Sequence, residues 1–413
     1  MNTPQSAPRK NPPVWVMAIP TVTFGLNGSF VVLTLPQMLA AQGVSAGKIA
    51  MVVAAVFSPG FWAFILAPML DVGLSRRTYA LIFGPLAALA GAWTIMDHHS
   101  IAEVLAIMIP GYVAIALYAA AVGGWTGSLI NKKQDGQLGA LTSVANITGG
   151  ALLMVFADPI IRSVPHVVAA LLFVLVLLLP MLSFFFIPSP LSESKRAKES
   201  FVHLWLAIQS MLKRREVLVA LAMFVLPTAA FSLTNFLGGV GKDFHTSPNL
   251  VSLLAGIGSF FAGIIGSLVI PPIAKKFSLR PLYLCIGLVG ACFTVCLIFL
   301  PRAPWSYAIA YSGESILQAA SFATGFAITF EVIGPENPLA ATIFSLLTSA
   351  LNLPIIYMVM VDGHGYDLAG IPGAFLADAG LSAAFCILLW VVLFKILRLN
   401  QPRKAQLTAE STE

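Results

Sequence analysis

The chain is rich in apolar residues and poor in charged ones. Of its 413 residues, 58% are hydrophobic and 10% are charged, whereas a soluble domain carries about 25% charged residues. This composition excludes an ordinary soluble domain, because so many apolar side chains need lipid to face. The formal net charge of +6 is not taken as a sign of nucleic-acid binding, because the cytoplasmic loops of membrane proteins are themselves rich in Lys and Arg.

Twelve apolar runs are long enough to cross a bilayer, whose core of ~30 Å needs ~20 helical residues. In chain order they cover residues 14–39, 47–70, 78–96, 101–126, 137–158, 164–187, 217–240, 249–274, 279–300, 303–330, 339–361 and 371–397. The sequence therefore predicts an all-α integral membrane protein with twelve transmembrane helices.

The basic residues predict how these spans are oriented. With a cytoplasmic N-terminus, 19 of the 23 Lys and Arg residues fall in inside loops or tails, and only Lys48, Arg162, Lys242 and Arg302 fall outside. Such a bias is the positive-inside rule. We therefore expect a multi-pass protein of the bacterial inner membrane with both termini in the cytoplasm.

A polar stretch divides the chain into two halves of six spans. Within this stretch, the apolar residues between Phe201 and Leu212 recur at helical spacing and precede three basic residues, which predicts an amphipathic helix at the membrane surface. The expected segments are a cytoplasmic tail at 1–13, a six-helix bundle at 14–187, the linker at 188–216, a second six-helix bundle at 217–397 and a cytoplasmic tail at 398–413.

Short matches between the halves indicate an internal duplication. LTSVAN at 141–146 returns as LTSALN at 347–352, and FGLN at 24–27 is echoed by FSLTN at 231–235. A third match pairs 67–77 with 270–280. Parallel six-helix repeats are the arrangement of major facilitator transporters, whose substrate sites lie near the midplane between the halves. We therefore predict two pseudo-symmetric halves with the major facilitator fold.

Glu314 is the clearest candidate for a functional residue. It lies near the middle of the tenth predicted span, with Gln318 one helical turn further along the same face. A charged side chain at that depth costs about 2.5–3.5 kcal/mol on insertion scales and is a functional hypothesis by default. We predict that Glu314 binds and releases a proton during transport; the alternative is a protonated Glu that bonds a neighbouring helix.

Other polar and aromatic residues within the spans are candidates for substrate or proton binding. Asn amides can bond substrate or join helices. Asp378 lies near the outer end of its span, so its side chain could instead extend to the membrane interface. Trp125 could equally belong to the aromatic belt at the membrane surface. These candidates are Asn27, Asn146, Asn235, Asn352, Asp378 and Trp125.

The turn after the second span carries candidates for gating. Asp71, Arg76 and Arg77 place one acid and two bases where helix ends approach each other. Such charges can hold one state of a transport cycle and separate in the other. Signalling of topology alone would need only the arginines.

The chain contains no sequence motif typical of an enzyme or a metal site. It has no Walker lysine motif, no zinc motif and no Gly-rich phosphate loop. We therefore expect a transporter that is not an enzyme, that binds no metal or cofactor and that uses the proton gradient as its energy source. The expected partners are a small-molecule substrate and the lipid bilayer, with no nucleic acid, and we expect a monomer.

The segment LAPMLDVGLSRRTYAL at 66–81 resembles the junction of spans two and three in the AmpG-like, peptide and acetyl-coenzyme A branch of the major facilitator superfamily. The fourth span reads AVGGWTGSL at 121–129 and keeps only the Trp of that branch, without its acidic residues. Length and junction are also similar to the RhtX/FptX group of siderophore permeases. The resemblance implies an importer of an intact siderophore; a muropeptide permease and a non-transporting sensor or scaffold remain alternatives.

Overall fold

The computed structural model describes residues 13–44, 46–96, 100–153, 164–188, 209–335 and 337–396. All regular secondary structure in these residues is helical. This result confirms the all-α prediction. The two predicted tails lie outside the described residues except for Pro13, and so does the amphipathic helix of the linker except for its last residues from Gln209.

Helical segments occur in each of the twelve predicted ranges, and we number them α1 to α12 in chain order. Eight helices of the described part are long and apolar enough to cross a membrane, the last of them containing two helices joined at a kink. The segments are α1 Val14–Leu39, α2 Ala46–Phe57 with short turns to Asp71, α3 Arg76–Met96, α4 Ile101–Gly127, α5 Asp135–Leu152, α6 His166–Phe185, α7 Arg215–Val225 and Leu233–Leu237, α8 Pro248–Leu253 and Leu254–Ala274, α9 Leu279–Ile298, α10 Pro304–Ile333, α11 340–368 and α12 371–390.

Helix α7 is broken in the middle of its span. Its first part ends at Val225, and Leu226 has an extended backbone with ψ of 150°. Leu226 precedes Pro227, and a residue before proline is driven out of the helical region by the proline ring. Helical structure resumes only at Leu233. Carbonyl groups at this break therefore need hydrogen-bond partners from outside the helix.

Helices α11 and α12 are continuous except for a kink at Ala369 and Gly370. Gly370 has φ of 63°, which glycine adopts at no steric cost. Helix α11 therefore runs beyond residue 361, where the sequence analysis ended the span. This extension places Asp362 inside the helix rather than in a loop.

The two halves pack against each other through close helix contacts. Helix α5 contacts α8 and α10, and α4 contacts α11. A Cβ on Gly139 of α5 would lie 2.6 Å from the carbonyl oxygen of Ala323 on α10, and one on Gly124 of α4 would overlap the backbone of Ala341 on α11. Glycine at these two positions allows the halves to meet at the end where α4 finishes and α11 begins. We call this the closed end.

Two glycines of α1 provide a test of helix packing within the first half. A Cβ on Gly25 would overlap the carbonyl oxygen of Asn146 on α5, whereas a Cβ on Gly28 would meet nothing within 4 Å. We expect Gly25→Ala to destabilise the protein by about 1–3 kcal/mol through overpacking. Gly28→Ala should leave it unchanged or stabilise it by up to about 1 kcal/mol. Unfolding of the purified protein in detergent measures both, and equal stabilities would contradict the described packing.

Candidate functional site

A cavity of about 580 Å³ lies between the two halves. Its walls come from α1, α2, α4 and α5 on one side and from α7, α8, α10 and α11 on the other. The volume is in the range of small-molecule sites, about 300–1,000 Å³. The cavity occupies the place between the halves at which the sequence predicted a substrate site.

The cavity wall combines amides, hydroxyl groups and aromatic rings. Four of the predicted residues line it, one from α5, one from α7, one from α10 and one from α11. None of the described lining residues is charged. The wall therefore suits a ligand with both apolar and hydrogen-bonding groups. The amide side chains are Asn146, Asn235, Gln318 and Asn352, and the aromatic ones are Phe24, Phe57, Phe61, Tyr112, Tyr118, Phe260, Tyr311, Phe322, Phe326 and Phe344.

Gln318 is fixed against the break in α7. Its Nε2 atom donates to the carbonyl oxygen of Phe231 at 3.2 Å and to the Thr234 hydroxyl at 3.0 Å. Phe231 has φ of 50°, a left-handed conformation that costs a bulky residue about 1–3 kcal/mol and persists only when its surroundings hold it. Gln318 therefore both lines the cavity and supports a strained turn of α7.

Other side chains satisfy further carbonyl groups of the α7 break. Ser321 donates to the carbonyl oxygen of Ala229 at 2.8 Å, and Cys386 of α12 donates to that of Thr228 at 3.0 Å. Irregular backbone at membrane depth is tolerated only where protein or a water-filled cavity surrounds it. These bonds explain how the chain keeps a broken helix beside the cavity.

Glu314 is fully buried on α10, next to Ser315, which lines the cavity. Its Oε1 atom lies 2.6 Å from the hydroxyl oxygen of Thr294 on α9. Its Oε2 atom has no hydrogen-bond partner in the described part of the chain. Gln318, one turn further along α10, lines the cavity as expected, but Glu314 itself is not among the lining residues.

Two aspartates from α11 and α12 meet at the break in α7. The hydroxyl oxygen of Ser232 lies 2.7 Å from Asp362 Oδ2 and 3.1 Å from Asp378 Oδ1. Both carboxyl groups are buried, so Asp378 does not reach the membrane interface as the alternative reading allowed. The sequence analysis missed Asp362 and Ser232. Continuing the helix from Asn352 beyond residue 361 would have placed Asp362 inside α11. Pro227 in the sequence could have indicated the break in α7.

The predicted gating residues lie at the closed end. Arg76 pairs with Asp71 at 2.9 Å, with both side chains buried, and donates to the carbonyl oxygens of Asn337 and Pro338. Asp71 accepts from the backbone N–H groups of Ala341 and Thr342 at 3.1 and 2.9 Å and from the Thr342 hydroxyl at 2.6 Å. The pair thus joins the first half to the start of α11.

The Asp71 carboxylate is well placed to cap α11. The first N–H groups of a helix have no partner within the helix, and the positive end of the helix dipole attracts an anion. Arg77 takes no part in this cap; its guanidinium group lies 6.0 Å from the ring centre of Phe185 in its own half. The structure therefore separates the two arginines that the sequence analysis grouped.

Besides the two buried acids described above, two more predicted binding residues do not line the cavity. Trp125 is fully buried, packs against Phe184 and donates from its indole nitrogen to the carbonyl oxygen of Pro188 at 2.9 Å. Asn27 is buried on α1, and its Oδ1 atom has no partner among the described residues. Trp125 is placed to hold α4 against the end of α6 rather than to contact a ligand in this conformation.

Comparison with known proteins gives the class of fold. The sequence model of the Major Facilitator Superfamily matches residues 219–412. No curated protein sequence matches the chain. This match covers the second half of the chain, and the similarity of the first half rests on solved structures.

Solved structures match over nearly the whole chain. The fucose:proton symporter FucP of E. coli has a TM-score of 0.70 at 15% identity, covering 91% of this chain and 97% of its own. The proton:xylose symporter XylE has 0.68 at 16%, covering 92% and 95%. The human organic anion transporter MFSD10 has 0.66 at 18%, covering 92% and 100%.

These similarities define an all-α membrane protein with the major facilitator fold, as the duplicated halves predicted. The solved neighbours are themselves transporters, and at these identities they show the fold of this chain. They do not extend to the AmpG-like or siderophore branch.

The two arginines of the α2–α3 turn test the contact at the closed end. Removing one partner of a buried ion pair costs about 3–5 kcal/mol, and each ~1.4 kcal/mol changes a population ratio tenfold. We expect Arg76→Ala to open the closed end, because Asp71 loses its counter-charge and two carbonyl groups of the second half lose a hydrogen-bond donor. Arg77→Ala is the matched control.

Accessibility of a cysteine at the cavity measures this opening. In a background without native cysteines, Ser345→Cys should react with a membrane-impermeant thiol reagent, added from the closed end, much faster with Arg76→Ala than with Arg77→Ala. Equal labelling rates in the two variants would show that the pair does not hold the closed end.

Proposed function

We propose that the chain is a secondary transporter that works by alternating access and imports a small organic molecule together with protons. The observation that carries the proposal is a cavity between two helical halves, which meet at one end through the Asp71–Arg76 pair and the start of α11. A cavity that is closed at one end fits one state of an alternating-access cycle.

The loop charges support an inner-membrane protein with both termini in the cytoplasm, since 19 of the 23 basic residues then fall inside. In that orientation the closed end is the cytoplasmic one, and the cavity is closed toward the cytoplasm.

Glu314 is the proposed carrier of the coupled proton. The Thr294 hydroxyl lies 3.0 Å from the carbonyl oxygen of Gly290 as well as 2.6 Å from Glu314 Oε1. A hydroxyl group has one hydrogen, so it can donate to only one of them. A protonated Glu314 satisfies both contacts by donating to Thr294, and an ionised one does not. The buried carboxyl group thus fits a proton that is held in this conformation and released in another.

The cavity wall indicates the chemistry of the substrate. Because none of the described lining residues is charged, a substrate with free carboxylates or phosphates would lose its hydration without gaining a counter-charge. A molecule without net charge, with apolar or aromatic parts and several amide or hydroxyl groups, matches the wall. An intact siderophore whose acidic groups are occupied by iron fits this description better than a muropeptide with free carboxylates, and we propose siderophore uptake.

Uptake into proteoliposomes tests both parts of the proposal. Radiolabelled ferric siderophores and a radiolabelled muropeptide are offered with an imposed pH gradient. Wild-type protein should accumulate a siderophore against its gradient and not the muropeptide. Accumulation of the muropeptide instead would favour the cell-wall recycling function, and uptake of no substrate would favour a non-transporting sensor on the same fold.

Glu314→Gln tests the proton carrier in the same vesicles. Without a titratable group at this position, uptake should stop when the concentrations on the two sides are equal, while exchange of labelled for unlabelled substrate continues. Glu331→Gln is the matched control, since Glu331 is a partly exposed residue of α10 that pairs with Arg280 at 3.1 Å. Full accumulation by the Glu314→Gln variant would remove Glu314 from the coupling mechanism.

A further inference from the structure

We infer that Asp362, Ser232 and Asp378 form a second proton-binding site, which controls the position of the second part of α7, Leu233–Leu237. The inference rests on the proposed function for its role in transport, but the site itself is defined by its own geometry. Neither Asp362 nor Ser232 lines the cavity. The site joins three helices, because Ser232 precedes the second part of α7, Asp362 belongs to α11 and Asp378 to α12.

The number of hydrogens at Ser232 determines how the site can be occupied. Its hydroxyl oxygen lies within hydrogen-bond distance of both carboxyl groups, at 2.7 and 3.1 Å. An ionised carboxylate only accepts hydrogen bonds, and a serine hydroxyl donates only one. With both aspartates ionised, one carboxylate would face a serine lone pair. One added proton resolves this, because a protonated aspartate donates to Ser232 while Ser232 donates to the other aspartate.

The surroundings of the two aspartates favour a bound proton over two charges. Ser232 and Asp362 are fully buried, and Asp378 is 4% exposed. Asp362 Oδ1 is also buried and has no hydrogen-bond partner in the described residues. Two carboxylates that both lie within hydrogen-bond distance of one serine hydroxyl group repel each other strongly in a medium of low dielectric. An unpartnered buried oxygen at such a site points to a ligand that the carboxyl group can take up.

The charged groups around the site do not offset two negative charges. Glu314 on α10 is the further titratable group that interacts electrostatically with both aspartates, and it is itself acidic. His364 and Asp367 of α11 are exposed. No Lys, Arg or His of the described part forms an ion pair with Asp362 or Asp378. The described residues bring no three ligating side chains together as a metal site, whereas one proton satisfies two carboxyl groups that share a single hydroxyl group.

The site is connected to the cavity through a very short piece of chain. Thr234 and Asn235, which line the cavity, follow Ser232 by two and three residues in the second part of α7. Loss of the proton removes one of the two bonds at Ser232 and leaves two anions facing each other. The second part of α7 then loses an attachment to α11 and α12. Protonation therefore favours one placement of Thr234 and Asn235, which is how a proton can alter the substrate site without touching it.

Infrared spectroscopy of the purified protein in lipid tests the site without a substrate. A protonated buried carboxyl group gives a carboxylic-acid C=O band whose amplitude falls as the buffer is changed from acidic to alkaline. We expect Asp362→Asn and Asp378→Asn each to remove the pH-dependent part of this band that remains in a Glu314→Gln background. Asp367→Asn, an exposed change on the same helix, should leave it unchanged.

Ser232 provides variants that keep both acids. Ser232→Ala should shift the band, since the acid loses its hydrogen-bond partner, and Ser232→Thr should retain the wild-type position. Unchanged spectra in both aspartate variants, or a band that responds to Na⁺ against K⁺ at constant pH instead of to pH, would overturn the inference. If the band behaves as expected but the protein transports no substrate, the proton site is supported and the proposed function is wrong. If the protein transports substrate but shows no such band, the proposed function is supported and the proton site is wrong.

Discussion

The carboxylate of Asp71 is the point at which the two halves of this protein are joined. It belongs to the first half, yet it accepts two backbone hydrogen bonds and one hydroxyl hydrogen bond from the first turn of α11 in the second. Arg76 neutralises it and also binds the carbonyl oxygens of Asn337 and Pro338. Around this contact glycines of α4 and α5 let the helices meet without side chains between them. The closed end is therefore held by an ion pair and by backbone contacts between the halves. These contacts can break together when the two halves move apart as rigid bodies.

The low dielectric of the interior strengthens this ion pair, and it also makes any unpaired polar or charged group there costly. The broken helix α7 persists because Gln318, Ser321 and Cys386 bond its free carbonyl groups. The three carboxyl groups of Glu314, Asp362 and Asp378 have no cationic partner in the described part, so protons are the simplest way to remove their charge. The wall of the cavity beside them has amides, hydroxyl groups and aromatic rings, and none of its described lining residues is charged. Charge is thus confined to positions behind the wall, where it can respond to protons while the wall binds a neutral molecule.

Much of this arrangement could be predicted from the sequence, and the exceptions have physical causes. The duplicated LTSVAN and LTSALN segments placed Asn146 and Asn352 at equivalent points of α5 and α11, and both residues and Gln318 of α10 line one cavity. Asp362 was missed because the polar run after it was taken as a loop, although the helix continues to the kink at Gly370. Ser232 was missed because a serine within an apolar span carries no signal of its own. Trp125 was grouped with substrate residues on residue type alone, whereas packing against Phe184 decides its position.

The central claim is that opening of the closed end and closing of the opposite end are one movement. Distances between spin labels test it most directly, in a background in which the four native cysteines are replaced. One pair of labels on the exposed residues Lys133 and Lys276 reports on the closed end, and a second pair on Lys48 and Lys242 reports on the opposite end. In Asp71→Asn protein the account predicts a longer distance for the first pair and a shorter one for the second. Unchanged distances, or two distances that change in the same direction, would contradict it.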